Sequence, residues 1–409
     1  MSARAVLPAS QLVLRIFLPF AAGYFLSYLY RTINAVLAPH LVADLGLDAS
    51  ALGLLTSVYF LTFAAFQLPL GVLLDRFGPR RVEAVLLLFA AAGAGLFAAG
   101  HSATTLVVGR ALIGLGVSAC LMASFKAFVL WIPAARLPVV NGWILAAGGL
   151  GALVATAPVE AALHWMHWRG VFVALMTLSL IVAAALWLAV PEPRRDDSPN
   201  SDWREPWRGV AMIFRSAIFW RIAPGSVISQ ATFLAIQGLW AGPWLRDVAR
   251  LDRPAAAQLL LWVAAGMVAG FLGMGQLAYT LSRRGIPPLA VAAGGMVLFM
   301  LIQLALLSGL GPLLPLWFLF GLFGTAGTLT YAVLTQQFPA AWAGRVNTAL
   351  NLLVFVVAFA TQWGMGAIIN AWPGAAGGYA EAGYQWAFGL ALVGQALTWV
   401  WLLTGLRRP

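Results

Sequence analysis

Long apolar runs alternate with short polar breaks along this whole chain. The runs predict twelve helices, over roughly 13–39, 51–74, 82–100, 104–131, 138–162, 169–190, 217–245, 256–281, 287–308, 312–337, 345–371 and 384–406. Each is long enough to cross a hydrocarbon core of ~30 Å at ~1.5 Å per residue. One polar segment is longer than the rest. It begins Pro191-Glu192-Pro193-Arg194-Arg195-Asp196-Asp197 and runs to residue 214. The expected organisation is therefore a six-helix half over 1–190, a linker over 191–214 and a second six-helix half over 215–409.

The halves carry a weak internal repeat. Pro133-Ala134-Ala135, four residues and Val140-Asn141 return as Pro339-Ala340-Ala341, four residues and Val346-Asn347. The expected fold class is an all-α membrane protein, with twelve transmembrane helices in two pseudo-symmetric six-helix halves.

Composition fixes the solvent. The 409 residues are 62% hydrophobic and 9% charged, more apolar surface than a soluble domain can hide. The formal net charge of +11 does not indicate a nucleic-acid partner, because the arginines sit in the breaks and not along one face. With the N-terminus inside, seventeen of the 24 basic residues fall in cytoplasmic segments and four in outer ones. That bias puts both termini and the linker in the cytoplasm. Arg4 and Arg15 precede an apolar stretch too long for a signal-peptide core, which is read as a retained first span. The single cysteine, Cys120, lies in an apolar run, so neither a disulfide nor a thiol metal site is expected.

The break Gly71-Val72-Leu73-Leu74-Asp75-Arg76-Phe77-Gly78-Pro79-Arg80-Arg81 reads as a tight polar turn, Asp75 to Arg81, between the second and third spans. It resembles the signature loop of the major facilitator superfamily of secondary transporters. Gly71, Leu73, Asp75, Arg76, Gly78, Arg80 and Arg81 fit that signature, and Leu74 and Pro79 depart from it. A weaker copy runs from Gly275 to Gly285. The resemblance covers the whole chain. It implies alternating access, with Asp75 holding one side shut against the start of the eleventh helix near Gly344 and Arg345. The gating set is then Gly71, Asp75, Arg76, Gly78, Arg80, Arg81 and Arg345.

Charge inside a span is costly and marks candidate chemistry. Arg31 lies ~25 Å along the first helix, past its middle. Tyr24, Ser27, Tyr28, Arg31 and Asn34 recur every three or four residues and share one face. Arg31 reads either as an anion-binding arginine flanked by tyrosines or as a clamp that bonds helix carbonyls. Arg110 heads a fourth-helix motif in which Gly114 and Gly116 fit and Ile113 replaces the glutamine. Lys126, the only lysine, either faces the cavity or snorkels to the interface. On the fifth helix, Gly148 is followed by Ala157-Pro158 and Ala161-Ala162 where proton-coupled exporters of the superfamily carry glycines, so that exporter motif is incomplete.

Ser226, Gln230, Phe233, Gln237, Trp240 and Trp244 share a face of the seventh helix at regular α periodicity. Thr328, Tyr331 and Thr335 share one on the tenth. Both faces suit a cavity wall or helix-to-helix hydrogen bonding. The substrate-binding set is Arg31, Tyr24, Tyr28, Asn34, Arg110, Lys126, Gln230, Gln237, Trp240 and Tyr331.

The acidic residues all fall in loops or near helix ends. Asp75, Glu83 and Glu160 are the deepest, and none lies at midplane depth by position. His164, Met166 and His167 beside Trp165 and Trp168 fit an interfacial aromatic belt better than a metal site. No nucleotide loop, hydrolase elbow or metalloprotease motif is present.

The reading is a monomeric carrier in a bacterial inner membrane. Its partners are lipid and a small solute, without cofactor, metal or enzymatic activity. The first helix resembles that of organic-anion and organophosphate members of the superfamily through Tyr28-Leu29-Tyr30-Arg31-Thr32-Ile33-Asn34-Ala35. The second arginine of the organophosphate exchangers would fall near Ala235 and is absent, which points to a monocarboxylate-like cargo. The rivals are a drug exporter, which Arg31 and the lack of a deep carboxylate oppose, and a membrane sensor, which would need an output domain.

Overall fold

The computed structural model describes residues 8–132, 137–191, 210–338, 343–374 and 378–406. Among them, twelve helices are long and apolar enough to cross a membrane. They are α1 Ser10–Thr32, α2 Ala49–Gln67, α3 Arg76–Ala99, α4 Ala103–Phe128, α5 Gly142–Ala162 and α6 Trp168–Ala189. The second set is α7 Ala217–Asp247, α8 Arg253–Ser282, α9 Pro288–Leu307, α10 Leu313–Gln336, α11 Arg345–Asn370 and α12 Glu381–Thr404. The linker residues 192–209 and the repeated segments 133–136 and 339–342 lie outside the described residues.

One end of the bundle is defined by side-chain caps. Asp48, Ser102 and Asp252 accept from the backbone N–H groups of Ala51, Thr105 and Ala255 at the starts of α2, α4 and α8. Each satisfies a donor that the first helical turn leaves open. This is the capped end.

The opposite end carries the signature residues. Here the structure differs from the polar turn expected over Asp75–Arg81. The helical path runs from Ala49 to Ala99 and breaks only at Gly78 (φ 78°, ψ 158°). Glycine adopts that left-handed φ without a Cβ clash, so one residue turns the chain. Pro79 can then open the next helix, where its missing N–H is no loss.

Helix pairing repeats between the halves. α1 packs on α5 as α7 packs on α11, and α2 packs on α4 as α8 packs on α10. The halves meet tightly at the capped end. A Cβ on Gly242 of α7 would collide with the carbonyl of Ala35, just beyond α1. Asn370 donates to Asp48 over 3.3 Å between α11 and the start of α2.

Several helices depart from regular α geometry, and this decides what faces inward. α7 contains a π turn over Ile236–Trp240. α4 is interrupted between Gly116 and Cys120, and α10 holds a 3-10 turn over Ala326–Thr328. The helix of α1 continues past Ile33 as Asn34–Leu45 and stops at Gly46, φ 61°.

Candidate functional site

A cavity of about 310 Å³ lies between the halves, on the signature side of Arg31. Residues of α1, α2, α4, α5, α7, α8, α10 and α11 line it. Among the described residues, Arg31 is the one charged side chain in its wall.

The stripe on α1 brings Tyr24, Ser27, Tyr28 and Arg31 to the cavity together. Gly148 on α5 makes room for it, because a Cβ there would press into the rings of Tyr24 and Tyr28. Arg31 is 6% exposed. Its guanidinium carbon lies 4.5 Å from the ring centre of Tyr28, 5.1 Å from that of Phe355 and 5.4 Å from that of Phe63. These rings supply cation–π contacts from both halves. Among the described residues no carboxylate pairs with Arg31, and its Nε has no hydrogen-bond partner. A buried guanidinium so placed has donors left for an anion.

Across the cavity, Tyr331 donates to Oδ1 of Asn351 over 3.0 Å. Asn347 lines the same wall with its Oδ1 unpartnered. Gln230 also lines the cavity and donates to Ser226 Oγ over 2.8 Å.

Five of the expected site residues therefore share the cavity: Tyr24, Tyr28, Arg31, Gln230 and Tyr331. Five lie elsewhere. Asn34 is fully buried beyond Arg31, with both amide atoms unpartnered. Arg110 is buried against the ring of Tyr59, 4.9 Å from its centre. Lys126 is half-buried on α4, outside the lining. Gln237 donates to Met267 Sδ over 3.5 Å, and Trp240 donates its indole N–H to the Gln362 carbonyl over 3.0 Å. Both lie in or at the end of the π turn: Gln237 turns to α8, and Trp240 packs beside Gly366 and Ala49, on the capped side of Arg31 and so beyond the cavity.

Sequence periodicity missed Gln67, Ser118, Asn347, Asn351, Phe63 and Phe355, all of which line the cavity. Gln67, Asn347 and Asn351 were legible as polar residues inside apolar runs. Glu83 is also more deeply placed than its position near a helix end implied, at 0% exposure.

At the signature end, Arg76 lies over the ring of Phe77 and Arg80 over that of Trp187 on α6. Gly71 is exposed, and Arg81 and Arg345 are half-buried. The Asp75 side chain lies outside the described residues. At the capped end, Asp44 gathers His167 Nε2 at 3.2 Å, Trp168 Nε1 at 2.8 Å and Arg169 Nη1 at 2.8 Å. Those bonds hold the Asp44 carboxyl below the usual carboxylate range, the Trp168 indole first and Arg169 next. The histidine and tryptophan of the expected aromatic belt thus hold a carboxylate. Among the described residues no group of three or more His, Cys, Asp or Glu is placed to hold a metal.

Fold and site define a helical membrane protein with twelve spans among the described residues and a central cavity between two paired halves. The chain belongs to the major facilitator superfamily, whose family model matches residues 20–362. A probable sulfoacetate transporter of Cupriavidus necator is 31% identical over 157 residues, 38% of this chain and 36% of that protein. A probable L-galactonate transporter of Escherichia coli is 26% identical over 268 residues, 59% of this chain and 57% of that protein. A hexuronate transporter of Escherichia coli is 26% identical over 217 residues, 49% of this chain and 50% of that protein. The chain thus spans between about a third and three-fifths of these relatives. Among solved structures, a D-xylose-proton symporter superposes with a TM-score of 0.73 at 15% identity, covering 95% of this chain and 97% of that one. A bacterial homologue of the human lysosomal transporter Spinster, inward-facing and unoccupied, gives 0.72 at 18%, covering 95% and 94%. These structural likenesses define the fold.

Proposed function

We propose that the protein is a secondary transporter that carries a small organic monoanion, carboxylate-like, across a bacterial inner membrane by alternating access. The observation that carries this reading is Arg31, the one charge lining the cavity among the described residues, caged by rings and without a carboxylate partner. One guanidinium matches one carboxylate by a two-pronged pair. A doubly charged phosphate ester would leave its second charge without a partner. The cavity is small for a ligand site, near the lower end of the usual ~300–1,000 Å³. Relatives named for galactonate and hexuronate, both monocarboxylates, support the same class of cargo. A cationic drug would meet an uncompensated positive charge.

In this reading the protein acts as a monomer, with both termini and the signature end cytoplasmic. The tight meeting of the halves at the capped end supports reading this conformation as the one closed to the outside. Asp75 then acts in the opposite state, holding the signature end shut at the N-terminus of α11, where free N–H groups and the helix dipole favour an anion.

Calorimetric titration of the purified protein with monocarboxylates, phosphate esters and cationic dyes tests the reading. Monocarboxylates should bind most tightly. Binding of the dyes with no response to any carboxylate overturns it.

A further inference from the structure

A buried acid sits one helix behind the cavity. Glu83, on α3 five residues past Gly78, is 0% exposed, and neither carboxyl oxygen has a hydrogen-bond partner. It is pressed against α1 at Gly23. A Cβ there would run into the Glu83 carboxyl and lie 3.8 Å from Cys120 Sγ of α4. Gly23 leaves the space in which the carboxyl lies against α1. Gly23 and Cys120 each precede a residue of the cavity wall, Tyr24 and Leu121.

The groups facing Glu83 are few. From α4 it is the Cys120 thiol, which lies beside the carboxyl. From α1 it is the glycine backbone, and Arg31, two turns further along α1, reaches Cys120 electrostatically. Among the described residues no charged group acts on the carboxyl. An ionised carboxylate buried in this seam has no counter-charge among the described residues, whereas the neutral acid needs none.

We propose that Glu83 is a proton-binding site, with H⁺ as its ligand, and that it couples anion transport to proton movement in the same direction. The inference rests on the anion reading for its second half only. The step balances as proton transfer alone. An O–H bond forms on Glu83 from water on one side of the membrane and breaks to water on the other, and no electrons move. The coupling element is α1, which carries Gly23 against Glu83 and Arg31 against the anion. Closing α1 over the acid requires a proton on it. Opening that seam admits water and lets the proton leave. A monoanion and a proton together carry no net charge.

The test has two arms. The first needs no cargo. Infrared difference spectra of ligand-free protein in lipid, titrated in pH, should contain a neutral carboxylic acid C=O band at pH 7. That band should be lost in Glu83→Gln and kept in Cys120→Ala, which removes the facing thiol and leaves the acid. A wild-type spectrum without a Glu83-dependent band overturns the site. The second arm uses benzoate with proteoliposomes. An imposed inward proton gradient should drive benzoate accumulation in wild type and not in Glu83→Gln, while benzoate exchange at equal pH persists in both. Gradient-driven accumulation in Glu83→Gln at the wild-type level overturns the coupling. Loss of benzoate binding in wild type would count against the anion reading, and the infrared band would still decide the proton site.

Discussion

Asn351 of α11 donates from Nδ2 to Oε1 of Gln67 on α2 over 3.3 Å, joining the two halves within the cavity wall. Asn351 also accepts from the Tyr331 hydroxyl, and Gln67 donates to the Ser118 carbonyl over 3.2 Å. Four helices of two halves are thereby tied through two amides. Gln67→Ala and Asn351→Ala should each lower thermal stability, and the double variant should lose less than the sum. The expected coupling is ~1 kcal/mol, the net worth of a hydrogen bond. Strict additivity in a double-mutant cycle of unfolding midpoints would show that the bond carries nothing.

The close approach of Gly242 to the Ala35 carbonyl makes the capped end sensitive to volume. Gly242→Leu should pry the halves apart there and cost ~1–3 kcal/mol of stability through overpacking. A cysteine in place of Val36, which is buried beside Gly242, should then react faster with maleimide in a Cys120→Ala background. Equal labelling rates with and without the leucine would rule out a seal at this point.

Asp44 gives the capped end a pH dependence. Its pKa is depressed in the folded protein, so the stability it contributes is present above the ordinary carboxylate range. That stability is lost as the pH falls through the depressed value. The melting difference between wild type and Asp44→Asn should favour wild type at neutral pH and vanish in strong acid. A difference that grows on acidification contradicts the assigned bonds to Trp168 and Arg169.

The proposed orientation rests on the distribution of arginines. In a Cys120→Ala background, a cysteine replacing exposed His101 at the capped end should be labelled by an impermeant maleimide on intact cells. One replacing exposed Arg284 at the signature end should need lysis first. The reverse pattern inverts the protein in the membrane.

The spans were legible because apolar runs of this length have one solvent in which they are stable. Gly78 was legible as part of a motif, though not as the sole break between two helices. The α1 stripe from Tyr24 to Arg31 held because the helix between them is regular. Gln237 and Trp240 were misplaced because a shared face does not fix depth: the cavity ends near Arg31, level with Gly238, so Trp240 lies beyond it and Gln237 turns to Met267. On α4 the helix is interrupted between Gly116 and Cys120, so Arg110 and Lys126 do not share one straight helical register. Glu83 was read by its distance from a helix end. Its burial comes instead from the glycine of another helix lying across it.

The central claim is that Arg31 holds the anion. Calorimetric affinity for the tightest-binding monocarboxylate, compared among wild type, Arg31→Lys and Arg31→Gln, tests it most directly. Arg31→Gln should weaken binding by roughly 10–100-fold, the worth of a charge-assisted pair. Arg31→Lys should fall between, since it keeps the charge and loses the two-pronged geometry. Unchanged affinity in Arg31→Gln would make Arg31 a packing residue and return the cavity to a carrier of hydrophobic or cationic compounds.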